Sequence, residues 1–335
     1  MAKPRKLNES KKTKYDEYYT LYEDIAAELP NYKEQLKGKR IICPCDWDES
    51  FKEAFVYKEE GYIPPYNLFS CGGTVKELDI EICKNRIERD LLTVKCNFVK
   101  FLVAHADTYE IKSISVSGYN PKTGEGVRFQ DIDYNNYDIV ITNPPFSQFR
   151  DFIDVMFATN KKFIVIGPTN AVSYLNVFQH IRDNELWLGY HHHMTGFIKP
   201  NGEVLQKNDA TVRYCWWYTN LDVSYRHDKI TLTEQYSAEK NPKYCNFDAI
   251  HVEKSKKIPY DYEGLMSVPI TFLQFYNPEQ FDIIGTSSML AGPPPEDLPK
   301  KLKGGPRFYS KTDKGYKREF ERLVVINKEV YHDEY

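Results

Sequence analysis

The chain has 335 residues, 28% of them charged, and a formal net charge of −3, a length that accommodates one large α/β domain and a smaller one. No apolar stretch approaches the roughly 18 residues of a membrane span, and the basic start Met1-Ala2-Lys3-Pro4-Arg5-Lys6 leads into no apolar segment, so neither a membrane protein nor a secretory signal is expected. Seven cysteines, scattered and odd in number, fit a reducing cytoplasm rather than a disulfide framework.

Residues 1–14 carry Lys3, Arg5, Lys6, Lys11, Lys12 and Lys14 against Glu9 alone and read as a basic flexible arm able to contact phosphates. A helix is predicted over 15–29, stopped before Pro30, with a further short helix to Lys37. A strand, Arg40-Ile41-Ile42-Cys43, then ends at Pro44-Cys45-Asp46-Trp47-Asp48. Residues 51–95, with Gly61, Pro64-Pro65 and Gly72-Gly73, read as an insertion. A helix over 98–105 and a strand over 111–117 follow, then a turn at 119–124 and a short strand over 126–131.

The run Asp138-Ile139-Val140-Ile141-Thr142 has the continuous apolar character of a buried parallel strand. Asn143-Pro144-Pro145-Phe146 follows it directly, and Ser147 is the expected N-cap of the next helix. Phe149, Phe152, Ile153, Met156 and Phe157 recur there at helical spacing and are assigned to the core. Phe163-Ile164-Val165-Ile166 forms the next strand and closes at Gly167-Pro168, completing a βαβ unit. A helix over 172–182 and strands over 187–190 and 213–218, the latter pair at an antiparallel edge, complete this region. From about residue 225 the strands shorten and Tyr, Lys and Pro become frequent, which places a domain boundary there.

The Asn-Pro-Pro-Phe corner carries the chemistry. A polar amide at the carboxyl end of a parallel strand lies where open α/β sheets bind ligands. Each proline fixes φ near about −65° and removes an N–H, and Pro144 keeps Asn143 out of the helical region. The Asn143 side-chain oxygen and the Pro144 carbonyl are then acceptors for an amino group, and Phe146 offers a face to a planar ring. Such a pair suits methylation of an exocyclic amino or amide nitrogen, whose lone pair is delocalised. Accepting its hydrogens stabilises the charge that develops on attack, and alignment with an electrophilic methyl group supplies the rest. No strongly basic side chain is required.

Other features are assigned structural roles. His191-His192-His193 and the Cys43/Cys45 pair invite a metal reading, but consecutive histidines cannot all face one ion and no second cluster has zinc-like spacing. No metal is expected. The segment from His191 to Thr211 is read as a loop able to face phosphate, and Cys215 as a buried strand residue. Lys300, Lys301, Lys303, Arg307, Lys311, Lys314, Lys317 and Arg318 make a second basic cluster near the C-terminus.

The run Asp138 to Ser147 resembles the catalytic segment of adenine-specific DNA methyltransferases, in particular the EcoRI-type modification methylases. Asp16-Glu17-Tyr18-Tyr19-Thr20, Trp187-Leu188-Gly189 and Thr219-Asn220-Leu221-Asp222 agree with the same family. So do Asn246-Phe247-Asp248-Ala249-Ile250, Ile258-Pro259-Tyr260-Asp261-Tyr262, Val268-Pro269-Ile270-Thr271-Phe272 and Asn277-Pro278-Glu279-Gln280-Phe281. The resemblance implies a doubly wound α/β fold with a mostly parallel, methyltransferase-type (Rossmann-like) sheet, an antiparallel edge and a smaller C-terminal recognition region. It implies an S-adenosyl-L-methionine-binding catalytic domain over 15–225 and a DNA target-recognition region over 226–335. The reaction implied is methyl transfer to adenine N6 in a short double-stranded DNA site after base flipping. The expected setting is the cytoplasm, in a restriction–modification system whose cognate endonuclease acts on the same site without binding this chain.

By the same resemblance, Asn143 and Pro144 hold the adenine amino group, Pro145 fixes the corner and Phe146 stacks on the flipped base. Tyr19 and Thr20 fall at the methionine end of the cofactor, Cys43, Pro44 and Asp46 in its loop, and Asp131 where an acid receives the cofactor's adenine. Two departures stand out. Cys43-Pro44-Cys45-Asp46 replaces the usual Gly-rich loop, and Ser117-Gly118-Tyr119 stands where a carboxylate normally takes the ribose hydroxyls. The alternatives are an RNA adenine or protein glutamine amide methyltransferase, or a catalytically silent DNA-binding relative.

Overall fold

The computed structural model describes residues 18–46, 75–88, 96–120, 125–199 and 201–331. The basic arm 1–14 and residues 51–74 and 89–95 of the expected insertion lie outside the described residues. The chain forms two compact units, one of residues 1–171 and 188–221, the other of residues 172–187 and 222–335. The sequence placed a division near 225; the units divide between Leu221 and Asp222, and Val172–Trp187 groups with the second.

In the first unit, β1 (Tyr19–Thr20) precedes α1 (Tyr22–Glu28), a 3-10 turn over Leu29–Tyr32 and α2 (Lys33–Leu36). Then come β2 (Arg40–Cys43), β3 (Lys76–Glu77), α3 (Ile80–Glu88), α4 (Asn97–Ala104) and β4 (Ser113–Val116). A small ladder of β5 (Tyr119–Asn120) and β6 (Glu125–Gly126) leads to β7 (Ile139–Thr142), α5 (Phe149–Ala158) and β8 (Lys162–Pro168). α6 (Leu175–Arg182) belongs to the second unit, and after it come β9 (Trp187–Leu188), β10 (Gly196–Ile198), β11 (Val204–Gln206) and β12 (Cys215–Thr219).

The main sheet has the order β3-β4-β2-β7-β8-β12-β9. Its centre is parallel: β2 pairs in parallel with both β4 and β7, and β7 with β8. β3 and β12 add to the two sides antiparallel. The result is a large mixed α/β sheet with a parallel core. All four residues of β7 are buried, as strands covered on both faces must be. Arg40 and Asp138 fix the start of this ladder. The Arg40 guanidinium donates to Asp138 at 2.8 and 3.1 Å and its backbone N–H at 2.8 Å, and this pairing lowers the Asp138 carboxyl to about 2.

Helix α5 buries Phe149, Phe152, Ile153 and Met156, while Phe157 is only half-buried and meets Phe163 edge-on. Ser147 is not the cap. It lies in a 3-10 turn over Phe146–Gln148, and Gln148 occupies the N-cap position without a side-chain bond. Phe149 packs so closely on β8 that a Cβ added at Gly167 would fall inside its ring. Gly167→Ala is therefore expected to destabilise the fold by about 1–3 kcal/mol through overpacking. A lowered chemical-denaturation midpoint checks this.

Three sequence expectations are corrected. The helix placed over 15–29 starts only at Tyr22, because Tyr19–Thr20 is drawn out as a strand by β10. The strand expected over 126–131 is replaced by the end of the β5–β6 ladder and a 3-10 turn, Phe129–Asp131. The segment 191–211 is not an open loop: β10 and β11 pair antiparallel within it, and β1 adds to β10. Cys215 is 2% exposed within β12, as expected of a strand residue.

In the second unit a four-stranded sheet is ordered β13-β14-β18-β15, with β13 at Ile250–His251, β14 at Met266–Pro269, β15 at Phe281–Thr286 and β18 at Arg322–Asn327. Between them β16 (Tyr309–Thr312) and β17 (Gly315–Arg318) form a separate hairpin. Arg322 is buried in this unit, donating to the Ser267 hydroxyl and carbonyl at 2.8 Å each and to the Val252 carbonyl. No helix among the described residues is long and apolar enough to cross a membrane.

Candidate active site

The parallel core turns back on itself at β2. The chain leaves β2 for β4 on one side and returns to β7 on the other, so the crevice outside the carboxyl ends of β2 and β7 is the topological switch point. Pro44, Cys45 and Asp46 leave β2 there, Ser117 leaves β4, and Asn143 leaves β7.

One hydroxyl ties two of these ends together. Thr142 Oγ1 donates to Asp46 Oδ2 at 2.5 Å and accepts the Cys45 N–H at 3.2 Å. Asp46 is 7% exposed, and burial pushes its carboxyl up to about 7 against the opposing hydrogen bonds from Thr142 and Cys96. Burial likewise raises the thiols of Cys43, Cys45 and Cys96, which keeps them protonated and poorly nucleophilic. Because the Asp46 pKa is raised on folding, its contribution to stability is complete below about 4, the unfolded value, and is lost as pH rises through about 7. Asp46→Asn is expected to flatten the decline in stability across that window, as measured by denaturation midpoints from pH 4 to pH 8.

Asn143 is oriented by the start of the described chain. Its Nδ2 donates to the Tyr18 carbonyl at 2.7 Å, which fixes the amide so that Oδ1 turns the other way. Asn143 Oδ1 is buried and has no hydrogen-bond partner among the described residues. A buried acceptor without a donor is costly, which makes it a candidate group for a ligand. Tyr18, Phe146 and Phe197 form a ring cluster: Tyr18 lies 6.5 Å from Phe146 and 5.9 Å from Phe197, and Phe146 and Phe197 are 6.2 Å apart at 80°. Pro144 is buried, and the Pro145 carbonyl accepts the Gln148 N–H at 2.9 Å, turning the chain into α5.

Among the described residues Thr20 Oγ1 and Ser117 Oγ are also buried without a partner. Thr20 belongs to the same segment as Tyr18, and its carbonyl accepts from Asn97 Nδ2 at 2.8 Å. Ser117 donates its N–H to the Cys43 carbonyl at 3.1 Å, which places it beside the end of β2. The tyrosine before Thr20 is half-buried in β1, and Cys43 is fully buried. Asp131 stands apart from this buried set. It is exposed at the end of its 3-10 turn, which Gln130 links to Gln148 at 3.3 Å.

Two carboxylates on α1, Asp24 and Glu28, secure the segment that carries Phe197. Asp24 accepts from the Thr195 N–H at 2.9 and 3.0 Å. Glu28 accepts from the N–H groups of Tyr190 and His191 at 2.9 and 2.7 Å, and from the Tyr32 hydroxyl at 2.7 Å. The His191 imidazole also meets Glu28 at 3.1 Å, and this contact raises its pKa. The histidine run is thus attached to α1 through its first member. Among the described residues no three His, Cys, Asp or Glu side chains group as metal ligands.

Sequence reasoning missed Tyr18 and Phe197 as walls, Thr142 as the bridge, and the α1 carboxylates as anchors. Only Tyr18 had a signal, as a member of the Asp16–Thr20 segment.

The model of the adenine-specific methyltransferase EcoRI family matches residues 6–328. The chain belongs to this family. It is 33% identical over 314 residues to the Type II methyltransferase M.EcoRI of Escherichia coli, covering 83% of this chain and 88% of that one. It is also 33% identical to the Type II methyltransferase M.MgeORF184P of Mycoplasma genitalium, covering 83% and 85% of the two chains. The corresponding values for M.MpnI of Mycoplasma pneumoniae are 32% identity, 83% and 84%. No solved structure matches significantly. As a member of the EcoRI family, the chain is an adenine-specific methyltransferase.

Proposed function

We propose that this protein transfers a methyl group from S-adenosyl-L-methionine to adenine N6 within one short double-stranded DNA sequence. The observation that carries the reading is Asn143 Oδ1 at the switch point, buried and unpartnered among the described residues, together with the ring cluster of Phe146, Tyr18 and Phe197. An adenine turned out of the duplex presents an amino group and two ring faces, the chemistry that this acceptor and these rings complement. Asn143 Oδ1 and the Pro144 carbonyl accept the two amino hydrogens, and Phe146 stacks on the base. The acceptors stabilise the developing ammonium, and the proton leaves to water after transfer.

The polar groups at the ends of β2 and β4 fit the cofactor. Thr20 Oγ1 and Ser117 Oγ are buried without partners among the described residues, and Asp46 is a buried carboxyl close to its ionisation point. In this reading Tyr19 and Thr20 hold the methionine end, and Cys43, Pro44 and Asp46 form the floor. Ser117 takes the place of the missing ribose carboxylate, and Asp131 receives the adenine. When bound, the cofactor supplies an electrophilic methyl group on sulfonium. Its positive charge favours ionised Asp46, so its binding should release a proton from that carboxyl near neutral pH.

The names of the relatives support a Type II setting, in which this enzyme protects the sequence that a cognate endonuclease cuts. The family's adenine specificity favours a base over a glutamine amide as acceptor. Modification-aware sequencing of DNA from a methylation-deficient host expressing this chain tests the proposal. N6-methyladenine at one short motif is the expected result. Unmodified DNA from a host with abundant soluble protein overturns it and leaves RNA methylation or a silent DNA-binding relative.

A further inference from the structure

We propose that the β16–β17 hairpin of the second unit is a ribbon that enters the major groove of double-stranded DNA, with Lys311 and Lys314 at its tip contacting the flanking phosphates. The inference rests on the DNA substrate proposed above and assigns its contact to one element.

The charge at this element is one-sided. Residues 300–318 hold eight cationic side chains and a single carboxylate, Asp313, in a chain whose net charge is −3. Two of the cations are engaged internally: Lys317 with Glu319 at 3.0 Å and Arg307 with Glu321 at 3.0 Å. Arg318 donates to the Gly305 carbonyl at 3.2 Å. Lys300, Lys301, Lys303, Lys311 and Lys314 form no ion pair among the described residues, and all five are exposed. Lysines on an exposed hairpin also discourage edge-to-edge pairing, but one or two suffice for that.

The hairpin is built to project and to hold its shape. Tyr309 pairs with Arg318, Ser310 with Lys317, Lys311 with Tyr316 and Thr312 with Gly315, so the tip is Asp313-Lys314. Gly315 takes φ +101°, which closes this tight turn, and the Thr312 hydroxyl donates to the Gly315 carbonyl at 2.8 Å. At the base, Tyr309 is 2% exposed and donates its N–H to Asn246 Oδ1 at 3.0 Å. The Cys245 N–H donates to the Tyr309 carbonyl at 2.8 Å, and Phe308 stacks on Phe247 with centroids 4.8 Å apart. Ser310 donates to Glu319 at 2.8 Å and Tyr316 to Asp297 at 2.7 Å. From Lys311 to Gly315, by contrast, every residue is exposed. A rigid two-stranded ribbon with a cationic tip has the width that the B-DNA major groove admits, about 12 Å, whereas the minor groove of about 6 Å excludes it.

The test is the salt dependence of duplex binding by the full-length protein, read by fluorescence anisotropy for wild type, K311A/K314A and K254A/K256A, the last at two exposed lysines outside the hairpin. Each phosphate contact contributes about 0.9 to the slope of log K against log salt. K311A/K314A is expected to lower the slope by about 2 and K254A/K256A to leave it unchanged. Matching thermal midpoints show that the variants are folded. Methyl green, which occupies the major groove, should compete with wild type, and distamycin, which occupies the minor groove, should not. A slope unchanged in K311A/K314A, an equal loss in K254A/K256A, or competition by distamycin alone overturns the ribbon while leaving the enzymatic reading intact. A wild type that binds no duplex overturns both.

Discussion

Replacing Asn143 with alanine should lower the methyl-transfer rate by about 10²–10³-fold, the loss expected when one preorganised hydrogen-bonding group is removed from a transition state, or roughly 2.7–4 kcal/mol. The effect should fall on kcat, because in the proposed reaction Oδ1 meets an amino group whose charge appears only as the new bond forms. Removing the side chain also removes its donation to the Tyr18 carbonyl, which loosens Tyr18 beside Phe146. Asn143→Asp separates the two roles. It keeps an oxygen where Oδ1 stands but replaces the Nδ2 donor with a second acceptor facing the Tyr18 carbonyl. Single-turnover kinetics with tritiated cofactor should show both variants impaired, while isothermal titration shows the cofactor still bound. An Asn143→Ala enzyme with wild-type single-turnover rates would remove this side chain from the chemistry.

The second large effect concerns stability. Glu28 is fully buried, and three N–H or O–H donors, from Tyr190, His191 and Tyr32, end on its carboxylate. Glu28→Ala deprives all three of the acceptor they now use; the Tyr32 hydroxyl is buried with it, and the two N–H groups are part-buried. Each buried donor left unsatisfied costs about 1–3 kcal/mol. A loss of about 3–5 kcal/mol is expected, a large share of the ~5–15 kcal/mol that holds a folded protein together. Glu28→Gln keeps one acceptor oxygen and should lose less. Urea denaturation reads both, and a Glu28→Ala midpoint equal to wild type would show that the segment is held by other means. The same variant should blunt catalysis at permissive temperature, because the segment released from α1 leads directly into the strand that carries Phe197.

The parts of this molecule legible in sequence are those with local causes. Strand Arg40–Cys43 has the bounds expected of it, and the βαβ unit through Asn143 announced itself by two apolar runs and a helix of regular spacing. The Asn143 corner was legible because two consecutive prolines allow few conformations. What stayed hidden depends on distant partners. Tyr19–Thr20 sits in a segment of good helical pattern and becomes a strand only because Phe197 and Ile198 pair with it. Asp24 and Glu28, four residues apart on a helix, point inward to backbone donors more than 160 residues away. Thr142 looked like the last residue of an apolar strand, and its bridge to Asp46 follows from β2 and β7 lying side by side, which no local pattern encodes.

The stitching of Tyr18–Thr20 to Asn143 and to β10 has a consequence for the order of events at the ribosome. The carbonyl of Tyr18 waits 125 residues for Asn143, and Tyr19 waits for Ile198. Contacts so far apart close late, after the entropy of a long loop has been overcome. A nascent chain that already displays the Asn-Pro-Pro-Phe corner therefore still lacks the strand that completes its aromatic wall. Methylating competence arrives as a single late event in translation, and fragments ending before Gly196 should be inert.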